Sequence, residues 1–510
     1  MRSIFKNVAI ITIFSVLTRL LGFVFRIFLS RTIGAEALGM YQVALSVFMV
    51  LLTFVSSGFA LIVSRWTASY RVKSQKKEIA SLVTTATIIA LIVSVLLCLI
   101  VLLFRNLFAN MFSDKNCINI LIVLLPSLVF SAIYSVFRGS MWGNDSYFAL
   151  CVSELVEQVV KIAVCVLVLG VGMSALESAT AVAWSFTFSC FVAAIFVVFL
   201  YFVYGGKLQK PNGIYKQLLK QSAPITGVRV VGSLVQPIVA LVLPSRLVAT
   251  GYTVSQAMSL YGIALGMTLP LLFLPTTLIG SLSTALVPDV SRAFAQNKIS
   301  HIQKRVETSL NFSLFVSFLI VPVFVALGDK IGVFLYNNAL SGALLQHAAW
   351  IMVPMGITNI SSSILNSVGL EVKSFVNYVI GGVFMFLVII FMPQIIGIDA
   401  LVVGMGVSAT ISAALNLFML RKKLGIETKI IKKLAIFALL SLPTLAITSF
   451  VSALLQHCLP MFANIVLSTM LGIGVFVLFC LVFGVADLSF FKAQIKNKLH
   501  LEKRKCKNKQ

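Results

Sequence analysis

Apolar runs of roughly twenty residues, each long enough to cross the hydrocarbon core of a bilayer as a helix, recur about fourteen times along this chain. No other feature limits the fold so tightly. Backbone in lipid must satisfy its hydrogen bonds internally, which only helices and closed barrels achieve, and unbroken runs of this length select helices over strands. The runs fall at 8–30, 39–63, 79–104, 118–137, 148–171, 178–204, 223–245, 257–287, 309–328, 346–368, 375–394, 399–420, 434–455 and 460–484. Charged residues make up 11% of the chain, where a soluble domain carries about 25%. The expectation is an all-α polytopic membrane protein. The opening MRSIFK resembles a signal-peptide start, yet Arg19 and Arg26 interrupt the following core and no small-residue cleavage site follows. The first run is therefore read as an uncleaved spanning helix.

The net charge of +25 would suggest nucleic acid in a soluble domain. Here the basic residues crowd into short connections between runs, which is the pattern of topology control rather than of a nucleic-acid partner. With the N-terminus cytoplasmic, 31 of the 40 Lys and Arg lie on the cytoplasmic side. The outer side holds only Arg31, Arg105, Lys115, Arg246 and Lys330. Both termini are therefore expected inside a plasma membrane, in keeping with an even number of helices. The other four basic residues, Arg19, Arg26, Lys161 and Arg229, lie within runs, where each costs several kcal/mol, roughly 2.5 to 3.5, unless it meets a wet cavity or a partner.

A faint internal repeat organises the runs. LGMYQVAL at Leu38–Leu45 lines up with MSLYGIAL at Met258–Leu265, and SRW at Ser64 has a counterpart in SRA at Ser291. This implies two six-helix lobes, 1–204 and 223–433, joined by a cytoplasmic linker at 205–222 that is rich in Gly, Pro and Lys. Two added helices would occupy 434–484, and a basic tail 485–510. Duplicated transporters commonly hold substrate between their halves.

TRLLGFVFRIFLSRTIGAEALGMYQVAL at Thr18–Leu45, followed by SSGFALIVSRW at Ser56–Trp66, resembles the family of stage V sporulation protein B. That family is a branch of the polysaccharide-export section of the superfamily that also contains lipid II flippases and multidrug extruders. The resemblance implies a two-lobed transporter that carries lipid-linked sugar precursors outward in a Gram-positive spore former. It also places Arg19 at the cationic position of the first helix of lipid II flippases. Those relatives tend to have an Arg-Asp pair next to it, where this chain has Phe25-Arg26.

A diphosphate must leave water to cross the membrane, and arginine suits it because the guanidinium stays charged and binds phosphate oxygens bidentately. Arg19 and Arg26, seven residues apart, fall on one helix face about 10 Å apart. With Arg229 from the second half they form the expected substrate site, and Gln236, one heptad beyond Arg229, is set to hydrogen-bond a headgroup. Arg246 is a weaker candidate near the outer surface. Each arginine also admits a plainer role, snorkelling or structural pairing. On the fifth run Glu154, Glu157 and Lys161 share one polar face, with Glu157 and Lys161 spaced for an intrahelical pair. Glu154, left over, is a candidate for charge balance or for a coupling cation or proton. Pro224, Pro237 and Pro244 in the seventh run and Pro270, Pro275 and Pro288 in the eighth are expected to bend their helices. Asp289 and Arg292, three apart, read as a cytoplasmic ion pair and a candidate gate. The tail is expected to lie against anionic membrane lipids.

No phosphate-cradling loop, nucleophile motif or metal-ligand spacing occurs, and the eight cysteines are scattered. No enzyme, cofactor or metal is expected. The leading function is a flippase for an undecaprenyl-pyrophosphate-linked peptidoglycan or polysaccharide precursor. Its rivals are a cation-coupled multidrug extruder and a non-transporting scaffold that recruits cell-wall synthases.

Overall fold

Long apolar sequences without β-branched alternation give long helices, and the computed structural model, which describes residues 2–211, 213–425 and 430–484, contains no strand among them. In chain order the helices are α1 (Arg2–Val72), α2 (Lys76–Leu103), α3 (Arg105–Met111), α4 (Cys117–Gly143), α5 (Tyr147–Val168), α6 (Ala175–Val203), α7 (Tyr215–Ser233), α8 (Val235–Ala249) and α9 (Val254–Gly262). A π-helical turn, Ile263–Thr268, leads into α10 (Leu269–Ala295), α11 (Ile299–Tyr336) and α12 (Ala339–Ala348). The series closes with α13 (Met352–Ser367), α14 (Glu371–Phe391), α15 (Pro393–Ile396), α16 (Asp399–Leu424), α17 (Ile430–Leu455) and α18 (Met461–Val482). The basic tail at 485–510 lies outside the described residues.

Twelve helical stretches among the described residues are long and apolar enough to cross a membrane. They differ from the fourteen expected runs in two places. Ile11–Val72 is one stretch of 62 residues, although Gly34 breaks its helical path at φ 75°, ψ 178°, a conformation that costs glycine little and other residues much. The second place is α5, which is 22 residues long but contains Glu154, Glu157 and Lys161 and so falls outside the twelve. In several places a helix outruns the apolar run that announced it. The helix α11 begins at Ile299, ten residues ahead of its apolar run, because HIQKRVE continues the same periodicity with a polar outer face.

The helices pack as two compact units: Met1–Pro270 with Phe386–Leu401, and Leu271–Met385 with Val402–Gln510. In the first, the second half of α1 packs on α2, α4 and α6 through buried Val55, Phe59, Ile62, Val83, Val136 and Tyr201, with Phe137 and Tyr201 edge to face at 5.0 Å. Without a hydrophobic force between helices in lipid, close van der Waals fit holds such bundles together, and small residues allow it. The extreme case joins the two halves of the sequence repeat. A Cβ placed on Gly39 would lie 1.9 Å from the Met258 carbonyl oxygen, and one on Gly262 2.1 Å from that of Ala35. The segments that echo each other in sequence thus touch backbone to backbone.

Two of the six prolines expected to bend their helices coincide with a departure from regular helix, while Pro224, Pro244, Pro275 and Pro288 lie inside α7, α8 and α10, which run on through them. The seventh run is divided between α7 and α8 at Leu234, where Pro237 has no N–H to give the Ser233 carbonyl. The π-helical turn ends just before Pro270. A wider turn is one way for a helix to accommodate a missing donor and a ring that would otherwise press on the preceding carbonyl.

In the second unit a buried amide network ties α13, α14 and α16 together. Asn377 donates to Asn416 Oδ1 at 2.9 Å, and Asn416 donates to the hydroxyls of Ser361 and Ser362 at 3.2 and 2.8 Å. Lys330 of α11 donates to the Ser452 carbonyl at 2.9 Å and its hydroxyl at 2.6 Å, joining α17 to the bundle.

Candidate functional site

A cavity of about 620 Å³ opens within the first unit between α1, α4, α5, α6 and α7. Helical periodicity builds its walls. The residues Ser131, Tyr134, Ser135, Arg138 and Trp142 recur at three to four residue spacing on α4, so they share one face and all reach the cavity. The facing stripe of α1, with Ser56, Ala60 and Ser64, is made of small residues that leave room. Ser56 and Ser57 return their hydroxyls to the Leu52 and Thr53 carbonyls at 2.7 Å, as serine in an apolar helix does when it satisfies itself locally.

Three charged side chains line this space: Arg138, Glu157 and Arg229. Arg229 of α7 donates to the Ser57 carbonyl at 3.2 Å and has no carboxylate within ion-pair distance among the described residues. Arg138 is paired with Glu154 of α5, one turn before Glu157. The Tyr134 hydroxyl is buried and finds no hydrogen-bond partner in the protein. Lys161 sits 5.9 Å from the ring centroids of both Phe25 and Phe186, and Phe186 is itself part of the cavity wall. A cation over an aromatic face is held by the ring quadrupole. The expected close pair between Glu157 and Lys161 does not form, because Lys161 reaches across to the rings on α1 and α6 instead.

Of the other residues singled out in the sequence, Arg26 is half-buried on α1, within electrostatic reach of Tyr41 and Lys161. Arg19 is exposed and does not line the cavity. Gln236, one heptad beyond Arg229, is exposed and outside the cavity wall. Arg246 is exposed near the end of α8. In the second unit Asp289 meets Arg292 at only 4.0 Å, while Arg305 approaches the same carboxylate at 2.7 Å and His301 at 3.6 Å. The expected local pair is thus a minor part of a contact between α10 and α11. The Arg305 Nε–H is not aligned for a hydrogen bond despite the short separation.

Arg138 is the residue that sequence reading passed over. The apolar run ends at Phe137, which turned the arginine into a loop charge, but the helix continues to Gly143. The polar stripe from Ser131 to Trp142 was the available signal, together with a Glu154 lacking a partner.

Among solved structures, the lipid II flippase MurJ in an inward closed conformation matches with a TM-score of 0.71 and 16% identity, over 93% of this chain and 98% of that one. The inward-facing conformation of a multidrug resistance MATE family transporter of the MOP superfamily matches with a TM-score of 0.67 and 14% identity, over 80% and 94%. These likenesses show the fold, and with the apolar helices they define a multi-pass membrane protein. Residues 4–294 match the model of the polysaccharide biosynthesis proteins, and the chain belongs to that family. Stage V sporulation protein B of Bacillus subtilis (strain 168) is 26% identical over 391 residues, covering 74% of this chain and 75% of that protein. The resemblance read from Thr18–Leu45 and Ser56–Trp66 is borne out.

Proposed function

We propose that this protein carries an undecaprenyl-pyrophosphate-linked peptidoglycan or polysaccharide precursor from the inner to the outer leaflet of the plasma membrane, by alternating access to the cavity of the first unit. The observation that supports this most is the convergence of Arg138 and Arg229, from different helices, on one cavity beside the unpartnered Tyr134 hydroxyl. Two planar, permanently charged forks fit a diphosphate, and a buried hydroxyl adds a neutral donor. Arg26 and Lys161 raise the positive potential nearby. A solved neighbour titled a lipid II flippase and a relative titled stage V sporulation protein B agree with this reading.

In this proposal fourteen helices cross the membrane in two six-helix lobes plus two, with both termini cytoplasmic, Arg19 guides the headgroup towards the cavity and Asp289 with Arg292 belongs to a gate. Cys458, exposed between α17 and α18, then faces outward. An impermeant maleimide on intact cells should label it, and labelling only after lysis would reverse the orientation. For transport itself, the purified protein in vesicles should move a fluorescent pyrophosphoryl-linked saccharide lipid between leaflets. Native mass spectrometry should also find such a lipid bound. Unchanged leaflet exchange with and without protein would end the flippase reading.

A second reading has one observation in its favour. Glu157 lines the cavity with the aromatic residues Tyr134, Trp142 and Phe186, a set that would suit an organic cation. Efflux of such cations in a strain lacking its own exporters, lost in Glu157→Gln and retained in Arg229→Ala, would make this a multidrug extruder.

A further inference from the structure

The two cavity arginines are held in unequal ways. Arg229 rests on a backbone carbonyl and keeps its full charge towards the cavity. Arg138 is countered by Glu154, yet it lines the cavity whereas Glu154 does not. Both members of that pair are accessible, their side chains being 40% and 35% exposed. The other charged groups nearby have different attachments: Glu157 faces the cavity unpaired, and Lys161 is engaged by aromatic rings. Arg138 is therefore a cation already in place whose present partner can be exchanged.

Resting on the flippase reading, we infer that Glu154 is an exchangeable counter-anion that sets how strongly a headgroup must bind to occupy the cavity. Its carboxylate holds Arg138 in the substrate-free protein, gives it up to a pyrophosphate, and takes it back as the product leaves. A pyrophosphate offers several charged oxygens in bidentate geometry and outcompetes one carboxylate for the guanidinium. A phosphate with a single charge, as in the surrounding phospholipids or in a lipid monophosphate, offers little more than Glu154 already provides. The exchange weakens every headgroup that needs Arg138 by the same factor, a threshold that a pyrophosphate passes and a single phosphate does not. It also limits retention, because two unopposed guanidinium groups in a low-dielectric site would release a pyrophosphate slowly.

A half-exposed ion pair weakens a competing ligand by about fivefold, the competent fraction of Arg138 falling in proportion. The test compares full-length protein in phosphatidylcholine nanodiscs with Glu154→Gln, with Arg229→Ala and with the swap Arg138→Glu/Glu154→Arg. The probes are undecaprenyl pyrophosphate, undecaprenyl monophosphate and inorganic pyrophosphate, and thermal unfolding is followed throughout. In Glu154→Gln, binding of the pyrophosphate lipid should tighten about fivefold and that of the monophosphate by no more, so that the preference is kept while both are held more tightly. The swap retains the ion pair, so it should unfold like the parent protein and yet lose the pyrophosphate lipid. Inorganic pyrophosphate should compete, which assigns the contact to the headgroup; failure to compete would overturn the assignment of Arg138. Equal or weaker binding by Glu154→Gln at unchanged stability, or parent-like binding by the swap, would overturn the exchange. Binding that still depended on Arg229 would then leave the flippase reading standing. Failure of the parent protein to bind the pyrophosphate lipid would overturn both.

Discussion

Two polar clusters, one in each unit, are built in opposite ways. In the first, Arg138, Arg229, Glu157 and Tyr134 border an open volume, and their bonds to one another are incomplete. In the second, Asn377, Asn416, Ser361 and Ser362 close a network of neutral groups in which each bond has a partner. Charge in a bilayer is expensive, and a polar group without a partner more so. A region that keeps both is organised around something that arrives from outside. A region whose neutral groups satisfy one another is held together by them and has no such need. Polar content alone therefore does not mark a site within the membrane; unsatisfied polar content beside a void does.

That contrast can be broken experimentally. The largest effect is expected for Arg229→Ala, which should lower leaflet transfer of a pyrophosphoryl lipid about a hundredfold, the loss of one or two charge-assisted bonds, without moving the unfolding midpoint. A matching fall in stability would make Arg229 structural. Asn416→Ala should do the reverse. It strands Asn377 and two hydroxyls, costs about 1 to 3 kcal/mol, and lowers the detergent-solubilised melting temperature while transport per folded molecule stays near the parent value. Lys330→Met is expected to be milder, since it removes two bonds to Ser452 but also the burden of a half-buried ammonium, for a net cost of about 1 kcal/mol. A loss of transport rather than stability there would show that the second unit also handles charge. The smallest effect belongs to Asp289→Asn, at most about 1 kcal/mol because its partners are solvent-exposed. Transport that became leaky in that variant would restore Asp289 as a gate.

The fold was largely legible because the hydrophobic signal is strong. Each apolar run became a helix, and the two places where the apolar stretches depart from fourteen come from local chemistry: a single glycine dihedral at Gly34 and three charges in α5. The site was legible in part. Arg229 announced itself as a charge inside an apolar run and does line the cavity. Arg138 stood where hydropathy stops but helical periodicity does not, so a rule based on average greasiness placed it in a loop. Gln236 was linked to Arg229 by a heptad, but the cavity ends before it reaches that residue. Arg19 illustrates another limit, since spacing places two arginines on one face without saying which neighbours that face will meet.

The backbone contact between Gly39 and Gly262 carries a genetic consequence. Neither residue borders the cavity, and neither has a side chain with which to do chemistry. Yet an added methyl group at either would overlap a carbonyl oxygen of the other segment. In a saturation library selected for transport, codons 39 and 262 should rank among the least tolerant of the whole gene, with even alanine depleted. They would stand out like active-site positions while marking only where α1 and α9 lie too close for any side chain.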